Sequence, residues 1–363
     1  MERGKNTSLY IDIIKNLSGF KLSVQLEIGA EKAGLLGASG SGKSMTLRCI
    51  AGIERPDEGQ IVLGDEVLFD SKKGINKPPR ERKVGYLFQN YALFPHMTVE
   101  QNIMSGMLGL TKKDQLLSKN QLMKDMHLSG LEKRFPKQLS GGQAQRAAIA
   151  RMLGARPNIL MFDEPYSALD YHLKEQLQQQ LLDLLEEKNM PTLIVSHDID
   201  EAYRLCDKIA IIENGKIDLF DTKKAVFERP AKLSAAQMTG CKNISRLQWL
   251  TDYEALALEW DIVLEIPKQA ISNTSKRAEY IGIRAHHLML TDEPGENAFP
   301  YKLIRINETR FEMTVLVKIQ GEDRMSEEPL RIEISKKEWQ QVNKENLPKY
   351  IKIPANRLIL LEN

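Results

Sequence analysis

At 363 residues the chain is longer than one typical domain, and two are expected. Its 51 basic and 49 acidic side chains leave a formal charge of +2, which excludes a strong general pull toward nucleic acid or anionic lipid. Hydrophobic content of 42% is that of an ordinary globular protein, no apolar run reaches membrane-span length, and the three scattered cysteines exclude a disulfide framework. The opening residues carry no apolar run of signal-peptide length, so a reducing, cytosolic compartment is the expectation.

Residues 1–30 read as strands with a turn at Ser18 and Gly19. A short apolar strand is predicted over 33–36, and GASGSGKS follows at 37–44 with the full G-x-x-x-x-G-K-[ST] spacing. Gly37, Gly40 and Gly42 let the backbone turn tightly and bring its N–H groups toward phosphate, with Ala38, Ser39 and Ser41 completing the cradle. Lys43 supplies a point charge to the β- and γ-phosphates, and the Ser44 hydroxyl suits Mg²⁺. Residues 45–51 read as a helix whose N-terminal N–H groups face the anion. A chance glycine-rich turn would not place Lys43 and Ser44 in register as well, so binding of a nucleoside triphosphate is predicted.

Residues 54–83 suit hairpins and loops, with alternation in GQIVLGDEVLFD and a breaker at NKPPRERK. The strand predicted over 84–88 delivers Gln89, whose amide can reach Mg²⁺ or water and would alone be an ordinary loop glutamine. Residues 91–138 are richer in helix formers, and the apolar side chains around LFPHMTVEQNI serve either packing or an interface. LSGGQ at 139–143 runs into AQRAAIAR, so Ser140, Gly141 and Gly142 form a second glycine-rich turn before a helix, although one nucleotide needs only one cradle.

ILMFDEP at 159–165 is an apolar strand ending in two carboxylates. Asp163 suits Mg²⁺, directly or through water, and Glu164 points elsewhere and can polarise an attacking water as general base. The competing reading is a pair of solvated strand-end carboxylates. Leucines at 173, 177, 181, 184 and 185 mark an amphipathic helix over 172–190. A second apolar strand over 192–196 delivers His197, able to hydrogen-bond a γ-phosphate or hold the water, and otherwise structural. A helix over 198–205 follows, then a hairpin of 209–212 and 216–220 about a type I′ turn at Asn214 and Gly215. Beyond the stretch 231–240 the character changes. Alternating runs at 280–284, 313–319 and 330–334, with turns near Gly295 and Gly321, predict a small β barrel or sandwich over 241–363. Its basic and acidic residues nearly balance, and His286 and His287 read as loop histidines rather than metal ligands.

Taken in order, the phosphate loop, Gln89, LSGGQ, Asp163–Glu164, SALD at 167–170 and His197 resemble the ATP-binding cassette of ABC transporters over roughly the first 230 residues. The resemblance implies an α/β P-loop fold over 1–235, a RecA-like core plus a helical subdomain, followed by a small β-rich domain. It implies ATP and Mg²⁺, with Glu164, His197 and Gln89 catalytic and Ser44, Gln89 and Asp163 at the metal. It also implies a head-to-tail homodimer in which Ser140, Gly141, Gly142 and Gln143 close over the partner's ATP, with Asp170 near the interface. An aromatic residue from the first strands would stack on adenine, Phe20 or Tyr10, with Phe20 in the more fitting turn. Integral-membrane permease subunits and an extracytoplasmic substrate-binding protein are the implied partners, the helical region receives a coupling helix, and the location is peripheral on the cytoplasmic side of the membrane.

GINKPPRERKVGYLFQNYALFPHMTVEQNI resembles importer ATPases for molybdate, sulfate, sugars and polyamines. The opening NLSGFKLSVQLEIG, the GI-x-x-PP-x-x-R segment and the appended β domain most resemble the molybdate importers. That likeness implies an oligomer-binding-type regulatory domain over 241–363 and a cargo of molybdate or a related oxyanion, with sulfate, sugars and polyamines as alternatives. A cassette acting on DNA or ribosomes is disfavoured, because too few residues separate Gln89 from LSGGQ for a long coiled coil and no basic patch marks a nucleic-acid surface.

Overall fold

The computed structural model describes residues 8–167, 171–188, 190–271, 277–320, 325–342 and 347–363. The chain folds as two compact units, Met1–Lys223 and Lys224–Asn363. In the first, the strands are β1 (Leu9–Leu17), β2 (Phe20–Ile28), β3 (Lys32–Leu36), β4 (Glu58–Leu63), β5 (Glu66–Asp70), β6 (Ile75–Asn76), β7 (Val84–Leu87), β8 (Ile159–Asp163), β9 (Thr192–Ser196), β10 (Lys208–Glu213) and β11 (Lys216–Thr222). Among the described residues they form one sheet in the order β6-β5-β4-β1-β2-β11-β10-β3-β9-β8-β7.

The sheet has two characters because its strands have two kinds of sequence. Every residue of β8 and of β9 is buried, and these continuous apolar runs pair parallel with each other and with β7 and β3. At the other end β1, β2, β4, β5 and β6 pair antiparallel, and β2 alternates buried and accessible positions along most of its length. The β10–β11 hairpin turns at Asn214 (φ +48°) and Gly215 (φ +77°), the two positive angles a type I′ turn requires.

Helix α1 (Lys43–Ala51) follows β3, and α2 (Val99–Ser105), α3 (Lys112–Asp125) and α4 (Gly141–Gly154) lie between β7 and β8 and pack on one another. Thr98 caps α2 and Ser140 caps α4, each in a reciprocal capping box. In this helical region Val99, Ile103 and Met107 are buried, whereas Phe94, Leu108, Leu116 and Leu117 are exposed. Helix α5 (Tyr171–Lys188) buries Leu177, Leu181, Leu184 and Leu185, the stripe expected from their spacing.

Arg82, from the NKPPRERK breaker, is wholly buried. Its guanidinium donates from Nη1 to the carbonyls of Cys49 and Ile50 at 2.8 Å each, from Nε to Lys77 O and from Nη2 to Asn76 Oδ1. The first two are terminal carbonyls of α1, and the Cys49 carbonyl also accepts from the Gly52 N–H at 3.2 Å, so a single cation supplements the cap of the helix and complements its dipole. A Cβ at Gly52 (φ +77°) would come within 2.5 Å of Arg82 Nε, which reserves the end of α1 for glycine.

Helix α6 (Ile199–Leu205) is capped by Asp198, whose Oδ1 accepts from the N–H groups of Asp200 and Glu201 at 3.0 and 3.1 Å. Lys174 pairs with Asp198 and lies 3.7 Å from Glu201. Glu201 is 4% exposed and its Oε1 has no hydrogen-bond partner. Burial raises its carboxyl to about 7 against the opposing pull of Lys174.

The second unit opens with α7 (Lys223–Glu228), which it takes over after Lys223, and α8 (Leu233–Met238). Its strands are β12 (Asn243–Trp249), β13 (Glu254–Ala257), β14 (Ile262–Glu265), β15 (Tyr280–Ile283), β16 (Met289–Thr291), β17 (Ala298–Glu308), β18 (Glu312–Ile319), β19 (Leu330–Ser335), β20 (Tyr350–Lys352) and β21 (Ile359–Leu361). Among the described residues they form two five-stranded antiparallel sheets, β14-β13-β12-β15-β21 and β16-β20-β17-β18-β19. Both contribute to one core around Trp260, Ile283, Val315, Ile332, Ile351 and Leu360. The unit begins ahead of the compositional change at 231–240 because Arg284 donates to the carbonyls of Phe227 and Thr239, tying that stretch to the sheets.

Replacing Arg82 with Lys keeps the charge but loses the fork that serves Cys49 O, Ile50 O, Lys77 O and Asn76 Oδ1 together in a dry site. A loss of ~2–4 kcal/mol in the stability of the first unit is expected, read as a lower urea midpoint. A midpoint unchanged from the parent would show that the cap is dispensable. The raised Glu201 carboxyl means that the folded chain keeps a proton that the unfolded chain releases. The stability it contributes is complete below about pH 4.5 and is lost as pH rises through about 7. Glu201→Gln should therefore flatten the fall in melting temperature across that window, and an unchanged pH slope would assign the dependence to another group.

Candidate nucleotide site

The turn between β3 and α1 has the shape its glycines allow. Gly40 and Gly42 have φ of +80° and +105°, and a Cβ at Gly37 would sit 2.4 Å from the Ile212 carbonyl. Lys43 begins α1 and is only 5% exposed. Its Nζ donates to the carbonyls of Gly37 and Ala38 at 2.8 Å each, so the loop closes around its own ammonium with one N–H to spare. Burial pulls the Lys43 pKa below the usual lysine range, against the opposing influence of Glu164 and Asp163. Ser41 Oγ is buried without a partner, an orphaned donor within the loop. A loop of N–H groups, a spare cationic N–H and an unpaired hydroxyl suit an anion with several oxygens.

Parallel pairing brings the other candidates to this loop. Leu36 pairs with Ser196, Asp163 with Val195 and Leu87 with Phe162, so β3, β9, β8 and β7 end side by side. Asp163 is buried. Its Oδ1 accepts from Ser44 Oγ at 2.7 Å and its Oδ2 from the Tyr86 hydroxyl at 2.7 Å. Burial, reinforced by this carboxylate, drives the Tyr86 phenol well above its ordinary pKa and keeps it a donor. Glu164 faces a different set of partners. Gln89 Nε2 donates to its Oε2 at 3.2 Å, and His197 Nδ1 lies 3.2 Å from the same oxygen. Gln89 also reaches Ser167 Oγ at 3.3 Å. The adjacent carboxylates are thus divided, one against the phosphate-loop helix and one against Gln89 and His197.

Not every candidate gathers here. Ser140 and Gln143 bond to each other in the capping box that starts α4, and no hydrogen bond among the described residues links 140–143 to the loop 37–44. Gly141 is exposed and Gly142 is buried in that same turn. The half-buried Phe20 lies beside the loop, 3.4 Å from where a Cβ of Gly42 would be. Tyr10 sits on β1 opposite Glu27 and Val62. Asp170 falls outside the described residues.

The structure also adds residues that the motifs left out. Tyr86 completes the shell of Asp163 from the neighbouring strand. Arg151 on α4 donates to the carbonyls of Tyr91 and Ala92 at 3.1 and 2.7 Å and lies over the Phe94 ring, fixing the turn just past Gln89. Tyr91 and Ala92 hold positive φ of +61° and +43° there. The strand pattern hinted only at a half-buried Tyr86, and nothing local shows that Arg151 serves a turn about sixty residues earlier. Among the described residues no group of three or more His, Cys, Asp or Glu side chains is set to hold a metal ion. No helix among them is long and apolar enough to cross a membrane.

Comparison with known proteins agrees with this geometry. Residues 21–167 match the family model described as ABC transporter. The chain is 42% identical to the Fe(3+) ions import ATP-binding protein FbpC of Haemophilus influenzae, over 62% of this chain and 67% of that protein. It is 34% identical to the sulfate/thiosulfate import ATP-binding protein CysA of Thermosynechococcus vestitus, over 77% of this chain and 82% of that protein. It is 38% identical to the molybdenum import ATP-binding protein ModC of Rhodospirillum rubrum, over 61% of this chain and 60% of that protein. Among solved structures, the dimeric ATP-binding cassette MJ0796 bound to ADP and Pi superposes with a TM-score of 0.51 at 27% identity, covering 59% of this chain and 98% of that one. The relatives are import proteins with different named cargoes, so molybdate is not singled out. With its phosphate loop, paired carboxylates and cassette fold, the chain belongs to the ABC transporter family, as the ATP-binding subunit of an import system.

Proposed function

We propose that the chain hydrolyses ATP as a homodimer to drive import of an oxyanion through separate membrane subunits. The observation that carries the ATPase reading is the division of the two carboxylates. Asp163 is held by Ser44 and Tyr86, and Glu164 shares one oxygen with Gln89 and His197. The loop 37–44 and the spare N–H of Lys43 hold the β- and γ-phosphates. Glu164 orients a water and takes its proton as the water oxygen bonds to the γ-phosphorus and the bond to ADP breaks. Gln89 and His197 engage Oε2 and leave Oε1 for that water.

Ser44 Oγ, the Asp163 carboxylate and the Gln89 amide oxygen are all hard oxygen donors, a set that fits Mg²⁺ with few protein ligands and bound phosphate. When bound, Mg²⁺ neutralises phosphate charge. Phe20 is the assigned adenine neighbour.

Pairing of two chains accounts for residues 140–143, which among the described residues make no hydrogen bond to the loop 37–44, and Asp170 is assigned to that interface. The dimeric state of MJ0796 with ADP and Pi supports this arrangement. The exposed Phe94, Leu108, Leu116 and Leu117 are the surface assigned to the permease, with an extracytoplasmic binding protein beyond it. That assignment places the chain peripherally on the cytoplasmic side of the membrane. The cassette is assigned to 1–235 and a regulatory role to 241–363. For the cargo, the match to the sulfate/thiosulfate relative is too long to lie within Met1–Lys223, so it includes part of the second unit. The match to the Fe(3+) relative is shorter. The match to the molybdenum relative is as short, so match length favours sulfate or thiosulfate, and molybdate rests on the opening segment and the GI-x-x-PP-x-x-R segment alone.

Glu164→Gln should retain ATP binding while turnover falls by ~10²-fold or more, and with ATP its mass by light scattering should double. Normal turnover in that variant would remove Glu164 as the base. For cargo, ATPase of the chain assembled with its permease in lipid is measured against binding protein loaded with sulfate, molybdate, tungstate or ferric ion. Stimulation by the oxyanions is expected, and stimulation by ferric ion alone would reassign the cargo and leave the ATPase reading intact.

A further inference from the structure

Glu164 has φ of +46°, in the left-handed region that costs any residue with a Cβ, and the residue after it is proline. The pyrrolidine ring crowds the preceding N–H and Cβ and steers that residue to an extended conformation. Glu164 is therefore disfavoured twice over, and such a backbone persists only where its surroundings over-determine it. Three sets of bonds do so. The Glu164 N–H donates to Val195 O at 3.0 Å. The Glu164 carbonyl accepts from Ser167 N at 3.2 Å and Ser167 Oγ at 3.1 Å. The Pro165 carbonyl accepts from Gln145 Nε2 at 3.1 Å and from the Tyr91 hydroxyl at 3.4 Å.

Gln145 is the informative member. It is 1% exposed, and its Oε1 has no partner in the wall of a cavity of about 170 Å³ that Arg146 and Gln180 also line. A buried amide with an orphaned acceptor is costly and would be better replaced by an apolar side chain if it only filled space. What the amide supplies that an apolar chain cannot is the N–H on the Pro165 carbonyl. The donor comes from α4, five residues after Ser140.

We infer that Gln145 is a positioning residue for Glu164, holding the strained backbone of the general base through the Pro165 carbonyl. The inference rests on the ATPase reading of Glu164 given above. It makes the direction of the Glu164 carboxylate depend on the seating of α4, the helix that the residues 140–143 begin.

The test is steady-state ATPase of the full chain. Gln145→Met keeps the volume and removes the donor, and kcat is expected to fall about 10- to 100-fold with KM for ATP within about twofold of the parent. Gln180→Met removes the other amide of the same cavity without touching Pro165 and should leave kcat unchanged. Adding Pro165→Ala to Gln145→Met relieves the crowding on Glu164 and should recover at least part of the lost kcat. A Gln145→Met enzyme within twofold of the parent, or an equal fall in Gln180→Met, overturns the inference. Gln145→Glu serves where the Met variant does not fold. Its carboxyl donates to Pro165 only when protonated, so its kcat relative to the parent should rise between about pH 8 and about pH 6. A constant ratio overturns the inference as well. Normal turnover in Glu164→Gln removes Glu164 as the base and this inference with it, whereas full activity in Gln145→Met removes the inference alone.

Discussion

Strands β3, β9, β8 and β7 run parallel and end at one edge of the sheet, and the candidate catalytic residues Gln89, Glu164 and His197 leave from that edge, as does the phosphate loop. Ladder hydrogen bonds set this alignment, because a parallel pairing fixes which residues lie abreast. A slip of one residue in β8 would turn Asp163 away from Ser44 and put an apolar side chain in its place. The complete burial of β8 and β9 makes such a slip expensive. The geometry of the site is thus inherited from the packing of the sheet, and the loops add only local shape.

Around that edge, neighbouring charges are kept to separate tasks. Asp163 and Glu164 are adjacent in sequence yet share no partner, because the strand ends at Asp163 and the backbone reverses at Glu164 with a positive φ. Lys43 would be costly to bury alone, and two loop carbonyls together with the nearby carboxylates offset that cost. Strain, burial and charge concentrate at the same few residues, the pattern expected where a fold maintains chemistry at the expense of stability.

The second unit keeps its own core, built by both of its sheets around Trp260 and Val315. Its first seventeen residues carry little strand pattern and join it through Arg284. Similarity to the import relatives is unevenly spread. It stops within cassette length for some and extends into this unit for the sulfate/thiosulfate relative.

By itself the sequence determined the elements whose chemistry is local. The spacing of Gly37, Gly40 and Gly42 before Lys43 and Ser44 defines an anion loop, four apolar residues ahead of Asp163 define a buried strand, and Asn214–Gly215 defines its turn, since each depends on backbone preferences within a few residues. The series of such motifs was enough to identify the family. Only the tertiary structure decided the partners of Asp163, which come from 77 and 119 residues away, the capping of α1 by Arg82, and the bond from Gln145 to Pro165. Side chains that look ordinary in sequence acquire these roles because strand order, which no local periodicity encodes, determines what they meet.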